Sequence, residues 1–205
     1  MSHTTPADPH DTVRALFPKL AREYAYGYGV TRALGGHERS NWAELANYAH
    51  VRAYHTARNY GVTIQPVPIA DPYADASAQA HDIGHGRLLV STLYCDHPLW
   101  TADQNVSFRA WHDLEHFAHG TDFSPEGELE TFQRSAHAIL TDGTLGSADA
   151  ERAVRALFSE SVYQLAYAVD TGDFLDPQRC VLPGLYGNGA GGAALLALLD
   201  PPEPF

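Results

Sequence analysis

The chain is poor in several features that mark particular classes of protein. Its two cysteines, Cys95 and Cys180, are too few for a disulfide framework, and its first residues lack the pattern of a secretory signal. We therefore expect reduced thiols and a cytoplasmic location. No apolar run of about 18 residues occurs, so no membrane span is predicted. Basic residues number 13 against 25 acidic ones, and the net charge of −12 argues against direct nucleic-acid binding.

A helical pattern extends over most of the 205 residues, a length that fits one domain. Apolar residues recur at helical spacing in several stretches, which predicts a mainly α-helical fold. We interpret residues 11–199 as a single helical domain that follows a disordered lead-in, residues 1–10. Residues 87–94 are rich in β-branched and apolar side chains, so a small β-hairpin element is predicted near 82–95.

Histidine stands out, with 12 residues against 13 lysines and arginines together. His112 and His116 lie four positions apart on a helix that is predicted to end near Gly120. Imidazoles at this spacing project from one face of a helix, one turn apart, and a single metal ion can bind both. His119 is an alternative second ligand. His137, on the next helix, is either a core histidine or a residue of the site.

A carboxylate on the next helix is a candidate for a further metal ligand. Ser124-Pro125-Glu126 is typical of a helix start, with serine as the cap and proline as the first residue. Glu126 and Glu130 share a face with Arg134, where salt bridges are expected. Glu128 lies off that face, so we predict that it belongs to the site.

Glu160 is a second candidate carboxylate. It falls among apolar residues of a long helix predicted from about residue 147 to residue 169. A carboxylate in such surroundings is costly unless it is paired, hydrogen-bonded or bound to metal. We therefore predict Glu160 as a metal ligand, with Gln164, one turn later, orienting it.

Two acidic residues beside the histidine pair are candidates for catalysis. The string His112-x-x-Glu115-His116 is similar to the reversed zinc-peptidase motif, in which the glutamate polarises a metal-bound water. Asp113 is the other candidate, either as a general base or as a partner that orients a histidine.

An earlier pair, His81-Asp82 with His85, resembles the histidine–aspartate pair of the HD phosphohydrolases. In those enzymes the pair lies on a helix. Here Gly84 and Gly86 are expected to break any helix, so we predict that the His81-Asp82 pair is dispensable for metal binding.

The order of several short motifs between residues 72 and 186 resembles a family of uncharacterised proteins encoded by phages and bacteria. The motifs are FRAWHD, a following histidine, Gly127-Glu128, Ser159-Glu160 with Gln164, Asp176-Pro177-Gln178 and Leu182-Pro183. The resemblance implies one site built from His112, Asp113, His116, Glu128, Glu160 and Gln164. The spacing after His112 is one residue shorter than is usual in that family, which leaves open whether His116 or His119 is the equivalent histidine. The resemblance implies no particular activity.

Three functions are consistent with these residues. The first is a metal-dependent hydrolase of a small-molecule substrate. Two histidines and a carboxylate would hold a divalent ion that activates water, and we expect zinc first and iron second. The second is a non-haem iron oxygenase with one or two irons, because two histidines and a carboxylate also describe the iron facial triad. The third is a non-enzymatic, acidic helical binding module. The oligomeric state is left open.

Overall fold

The structure, a computed structural model, describes residues 8–184 and 189–199. It confirms a mainly α-helical fold with one small sheet. The helices in the described part of the chain are α1 (Pro9–Arg14), α2 (Phe17–Ala33), α3 (Gly36–Tyr60), α4 (Ala76–Gly84), α5 (Ala102–His119), α6 (Pro125–Thr141), α7 (Ser147–Phe158), α8 (Gln164–Thr171) and α9 (Ala190–Leu199). A π-helical segment, Ser159–Tyr163, joins α7 to α8. No helix among these residues has the length and apolar character needed to cross a membrane.

Helix α3 lies at the centre of the packing, between α5 and α7. Its buried face carries Trp42, Leu45, Tyr48 and Ala49, none of which has any exposed surface. Tyr48 meets Trp111 of α5 edge to face, with ring centroids 5.5 Å apart, an arrangement that favours aromatic pairs. Helix α2 packs on α8 and α9, and α6 packs on α7. The core is therefore continuous from α3 to the helices that carry the candidate ligands.

The sheet corrects the predicted hairpin near 82–95. Strand β1 (Thr63–Val67) pairs in parallel with β2 (Arg87–Ser91), and Thr63 lies opposite Arg87 at the first position. Parallel strands need a crossover, which α4 supplies. The strand over Arg87–Ser91 was expected, but its partner β1 lies outside the predicted hairpin, in a stretch that contains Pro66 and Pro68. Pro66 is tolerated in β1 because this strand lies at the edge of a two-stranded sheet.

Three other boundaries differ from the sequence prediction. Helix α1 begins at Pro9, within the predicted lead-in, because Asp8 caps it through a hydrogen bond from the N–H of His10; residues 1–7 lie outside the described part. His81 and Asp82 lie on α4, which tolerates Gly84 because this residue is its last. The helix predicted over 147–169 is interrupted by the π-helical segment, which periodicity does not reveal.

Helices α5 and α6 have well-defined ends, and these ends fix the position of the histidine pair. Thr101 and Gln104 form a reciprocal capping box at the start of α5, and Gly120 closes it with a φ of +67°. Ser124 caps α6 by accepting a hydrogen bond from the N–H of Gly127. The three residues between these caps bring the C-terminal turn of α5 against the first turn of α6.

Candidate metal centre

Three side chains from α5 and α6 meet at one point on the edge of the fold. The Nε2 atoms of His112 and His116 are 3.2 Å apart. Glu128 faces both rings, with one carboxylate oxygen 3.2 Å from His112 Nε2 and the other 3.4 Å from His116 Nε2. His116 is buried, while the side chains of His112 and Glu128 are 22 % and 21 % exposed. The group is therefore anchored on one side and open to solvent on the other.

Two threonine hydroxyls hold the far nitrogen of His116. Its Nδ1 lies 3.0 Å from the hydroxyl of Thr121 and 3.2 Å from that of Thr131, and the two hydroxyls are 2.6 Å apart. Thr131 is fully buried, so these contacts fix the ring plane. A hydroxyl can accept a hydrogen bond from the Nδ1–H group, and in this tautomer the Nε2 lone pair is left for an ion.

Two of the three groups, Glu128 and His116, have charge states that suit metal binding. Burial opposes ionisation of Glu128, but the charge of His112 and hydrogen bonds from both rings outweigh it, so the pKa of Glu128 lies well below its ordinary value. Burial lowers the pKa of His116, which favours the neutral ring that a ligand requires. Burial alone would lower the pKa of His112. The charge of Glu128 and the hydrogen bond with it outweigh burial, so the pKa of His112 is raised.

Gly127 sets how closely the start of α6 approaches the preceding loop. A Cβ atom at this position would lie 2.2 Å from the carbonyl oxygen of Asp122, a backbone atom that cannot easily move. Only glycine permits this close approach to Asp122, so Gly127 helps to fix the position of the neighbouring Glu128.

We expect Gly127→Ala to destabilise the fold by about 1–3 kcal/mol, because overpacking forces the backbone apart, and to weaken metal binding by displacing Glu128. Thermal unfolding and zinc titration measure the two effects. Gly36→Ala is the matched control, since a Cβ there meets no atom within 4 Å and the residue lies in a helix. Unchanged stability and zinc affinity in Gly127→Ala would contradict this account.

A second group of potential ligands lies elsewhere in the described part of the chain. It comprises His97, Glu160 and Cys180, all buried. Glu160 accepts hydrogen bonds from Trp42 Nε1 at 2.7 Å, from His97 Nε2 at 3.2 Å and from Gln164 Nε2 at 2.8 Å. Glu160 therefore lies in a different group from His112 and His116, which corrects the prediction of a single site. Gln164, one turn after Glu160, contacts it through the last of these hydrogen bonds.

The hydrogen bonds of His97 argue against a metal ion at this second group. Its Nδ1 accepts hydrogen bonds from the backbone N–H groups of Leu99, at 3.1 Å, and Trp100, at 3.0 Å. This nitrogen therefore carries no proton. A neutral imidazole then keeps its proton on Nε2, the nitrogen that faces Glu160 and lies 3.6 Å from Cys180 Sγ. That nitrogen has no lone pair to offer, so the group is a buried hydrogen-bonded network.

Cys180 is not poised for chemistry within this network. Burial, followed by the negative charge of Glu160, raises the pKa of its thiol well above the ordinary value. A reactive cysteine needs the opposite environment, one that favours the thiolate. The network instead joins the π-helical segment to α3 and to the loops that carry His97 and Cys180.

The remaining candidates have separate surroundings. Glu115 is buried, with one oxygen accepting a hydrogen bond from Trp111 Nε1 at 3.0 Å and the other paired with His119 Nε2 at 3.1 Å. Both of its oxygens are thus engaged away from the histidine pair. His119 belongs to this pairing and lies outside the metal centre, and His137 is exposed on the surface of α6. These positions correct the roles predicted for Glu115, His119 and His137.

Asp113 is half-buried beside His112, and burial raises the pKa of its carboxyl to about 7. A hydrogen bond from the buried side chain of Gln79, on α4, opposes this shift. Asp113 is therefore a group next to the metal centre that can gain or lose a proton near neutral pH.

The motif His81-Asp82 belongs to neither group of potential ligands. Asp82 forms a bidentate ion pair with Arg87, with N–O distances of 2.9 Å and 3.2 Å. His85 Nδ1 contacts the carbonyl oxygen of His81. The carboxylate of Asp82 is thus paired with Arg87 and does not face a group of potential metal ligands among the described residues.

Sequence reasoning missed the two threonines and the partners of Glu160. The threonines carry no periodic or motif signal, although Thr121 follows directly on the glycine cap of α5. Neither His97 nor Trp42 was among the predicted site residues, although the donor nitrogen of a buried tryptophan is a reason to seek a buried acceptor.

The fold and the geometry define a helical protein with a candidate two-histidine, one-carboxylate metal centre. Compared with known proteins, the chain matches no family model, no curated protein and no solved structure.

Proposed function

We propose that His112, His116 and Glu128 bind a divalent metal ion. The observation that supports this most strongly is the spacing of the ligand atoms, 3.2–3.4 Å between each pair. In a tetrahedral zinc site with bonds of about 2.0–2.2 Å, the ligand atoms lie roughly 3.3–3.6 Å apart. The group therefore has nearly the shape of one face of such a tetrahedron.

We propose that the reaction is a hydrolysis. Three protein ligands leave a fourth position for water, which is the arrangement of catalytic rather than structural zinc sites. A bound divalent ion lowers the pKa of such a water toward about 7. The partial exposure of His112 and Glu128 gives solvent and a small-molecule substrate access to that position. Asp113, with its pKa near 7, is the candidate proton acceptor.

Metal analysis of the purified full-length protein tests this proposal. We expect about one equivalent of zinc after aerobic purification, lost in a His112→Ala, His116→Ala double variant. Iron recovered mainly after anaerobic purification would favour the oxygenase instead, because the same three ligands form an iron facial triad. A protein that takes up neither metal would show that a proton on His112 holds the group together, and the proposal would fail.

The hydroxyl of Thr131 should matter to metal affinity although it does not touch the ion. We expect Thr131→Val, which keeps the shape of the side chain, to weaken zinc binding about 10-fold to 100-fold, because groups that orient a ligand histidine have effects of this size. Competition with a chromophoric chelator measures the affinity. Thr131→Ser restores the hydroxyl and should recover most of it, whereas equal losses in both variants would argue for a packing effect.

The cytoplasmic location and the kinship with the uncharacterised phage and bacterial proteins remain proposals. Cys95 and Cys180 are both free thiols, which supports the first. The convergence of His112, His116 and Glu128 supports the second in part, since the resemblance placed these three residues in one site.

A further inference from the structure

We propose that the metal centre acts on neutral or cationic acyl compounds, such as esters and amides, and discriminates against phosphate esters. This inference rests on the proposed function, because it names the substrate class of the same site. It follows from the charges around the histidine pair and from the aromatic rings that border it.

Carboxylates dominate the charge near the metal centre. Asp113 and Glu115 follow His112 on α5, and both act electrostatically on that histidine together with the ligand carboxylate. Asp122, in the loop before α6, interacts with His116. With the ligand carboxylate, these make four acidic groups around an ion of charge +2. Such a site has no excess positive charge to attract a dianion, whereas a neutral acyl group needs none.

Arg109 is engaged by other groups, and Lys19 lies on a helix other than α5 and α6. Arg109, the cation that acts on Asp113, donates hydrogen bonds to a side-chain oxygen and three backbone carbonyls, those of Asn105, Ser91, Leu93 and Tyr94. The chain has a single lysine, Lys19, and it lies on α2, which packs against α8 and α9. The ion and Arg109 together carry +3, so the four carboxylates leave a net charge of −1, and a proton on Asp113 leaves the site neutral; in neither state does the site have the excess positive charge that attracts a phosphate.

Aromatic rings border the metal centre on two sides. Phe123 meets His116 edge to face, with centroids 5.2 Å apart, and 38 % of its surface is exposed. Phe108 lies nearly parallel to the ring of His112, with centroids 6.1 Å apart. An exposed phenylalanine beside a ligand histidine offers an apolar surface to the part of a substrate next to the scissile bond. This border suits an acyl or aryl group better than a hydrated phosphate.

The test compares 4-nitrophenyl acetate with 4-nitrophenyl phosphate, which share a leaving group, using the zinc-loaded full-length protein. For each ester the measured quantity is the acceleration over the uncatalysed reaction in the same buffer. We expect the acetate to be accelerated at least tenfold more than the phosphate. Inorganic phosphate should inhibit weakly, and Asp122→Asn should strengthen that inhibition roughly threefold to fivefold, the effect of removing one charge about 8 Å from a dianion in water.

Asp173→Asn is the control for the inhibition, because this exposed aspartate lies on the loop after α8 and should leave it unchanged. Greater acceleration of the phosphate ester, or phosphate inhibition that Asp122→Asn does not strengthen, would overturn the inference and leave the metal-dependent hydrolase intact. Bound zinc with no acceleration of either ester would overturn the hydrolase as well. Failure to take up zinc would remove the metal centre itself.

Discussion

Replacing Glu128 by glutamine is expected to abolish the stabilisation that zinc gives to the protein. An ion present at a hundredfold excess over its dissociation constant stabilises the folded state by up to about 2.7 kcal/mol. For a chain of this size, that corresponds to a rise in melting temperature of roughly 5–10 °C. Glu128→Gln keeps the shape of the side chain but removes the charge that faces both imidazoles. Thermal unfolding with zinc and with a chelator measures the difference.

Glu130→Gln is the matched control for this experiment. Glu130 lies on the same helix two residues later, but it forms an exposed ion pair with Arg134, 2.6 Å long. Exposed pairs contribute at most about 1 kcal/mol, so Glu130→Gln should change the melting temperature little and keep the full response to zinc. A zinc response that survives in Glu128→Gln would mean that the carboxylate is not a ligand.

Replacing Glu160 by leucine is expected to produce the largest loss of fold stability and no loss of metal. The change leaves the buried N–H donors of Trp42 and His97 without an acceptor, and it removes one partner of the half-buried amide of Gln164. Each unsatisfied buried donor costs about 1–3 kcal/mol, so the two buried donors cost at least about 2 kcal/mol, or roughly 4–8 °C in melting temperature. Zinc titration of the folded variant should still give one site with the affinity of the parent protein.

Glu160→Gln provides the graded comparison. Its amide oxygen can still accept hydrogen bonds, so we expect a smaller loss of stability than in Glu160→Leu. If either variant loses zinc while it stays folded, Glu160 belongs to the metal centre, as the resemblance to the phage and bacterial proteins implies. The separation of the two groups would then be wrong.

The histidine pair and Glu128 were predictable because their signals are local. The spacing of His112 and His116 places both rings on one face of a helix, and the pairing of Glu130 with Arg134 leaves Glu128 as the carboxylate off that face. Ser124 marks the start of α6, which fixes the register. Each step needs only helical geometry over a few turns.

The surroundings of Glu160 were beyond sequence reasoning because they depend on distant parts of the chain. Trp42 precedes Glu160 by 118 positions and His97 precedes it by 63. The sequence showed that a carboxylate among apolar residues needs a partner, but three donors satisfy that need as well as a metal does. The parallel pairing of β1 with β2 was missed for a similar reason, since Pro66 concealed the first strand.

The close spacing of the three candidate ligands in the sequence, between residues 112 and 128, has a consequence for folding if they bind the proposed ion. A loop this short costs little entropy to close, so α5 and α6 can form a hairpin and capture an ion before the rest of the chain has assembled. Partly folded chains would then retain some affinity for the metal. Zinc would raise the equilibrium stability by less than its affinity for the native state implies, and it would speed folding by favouring an early local structure.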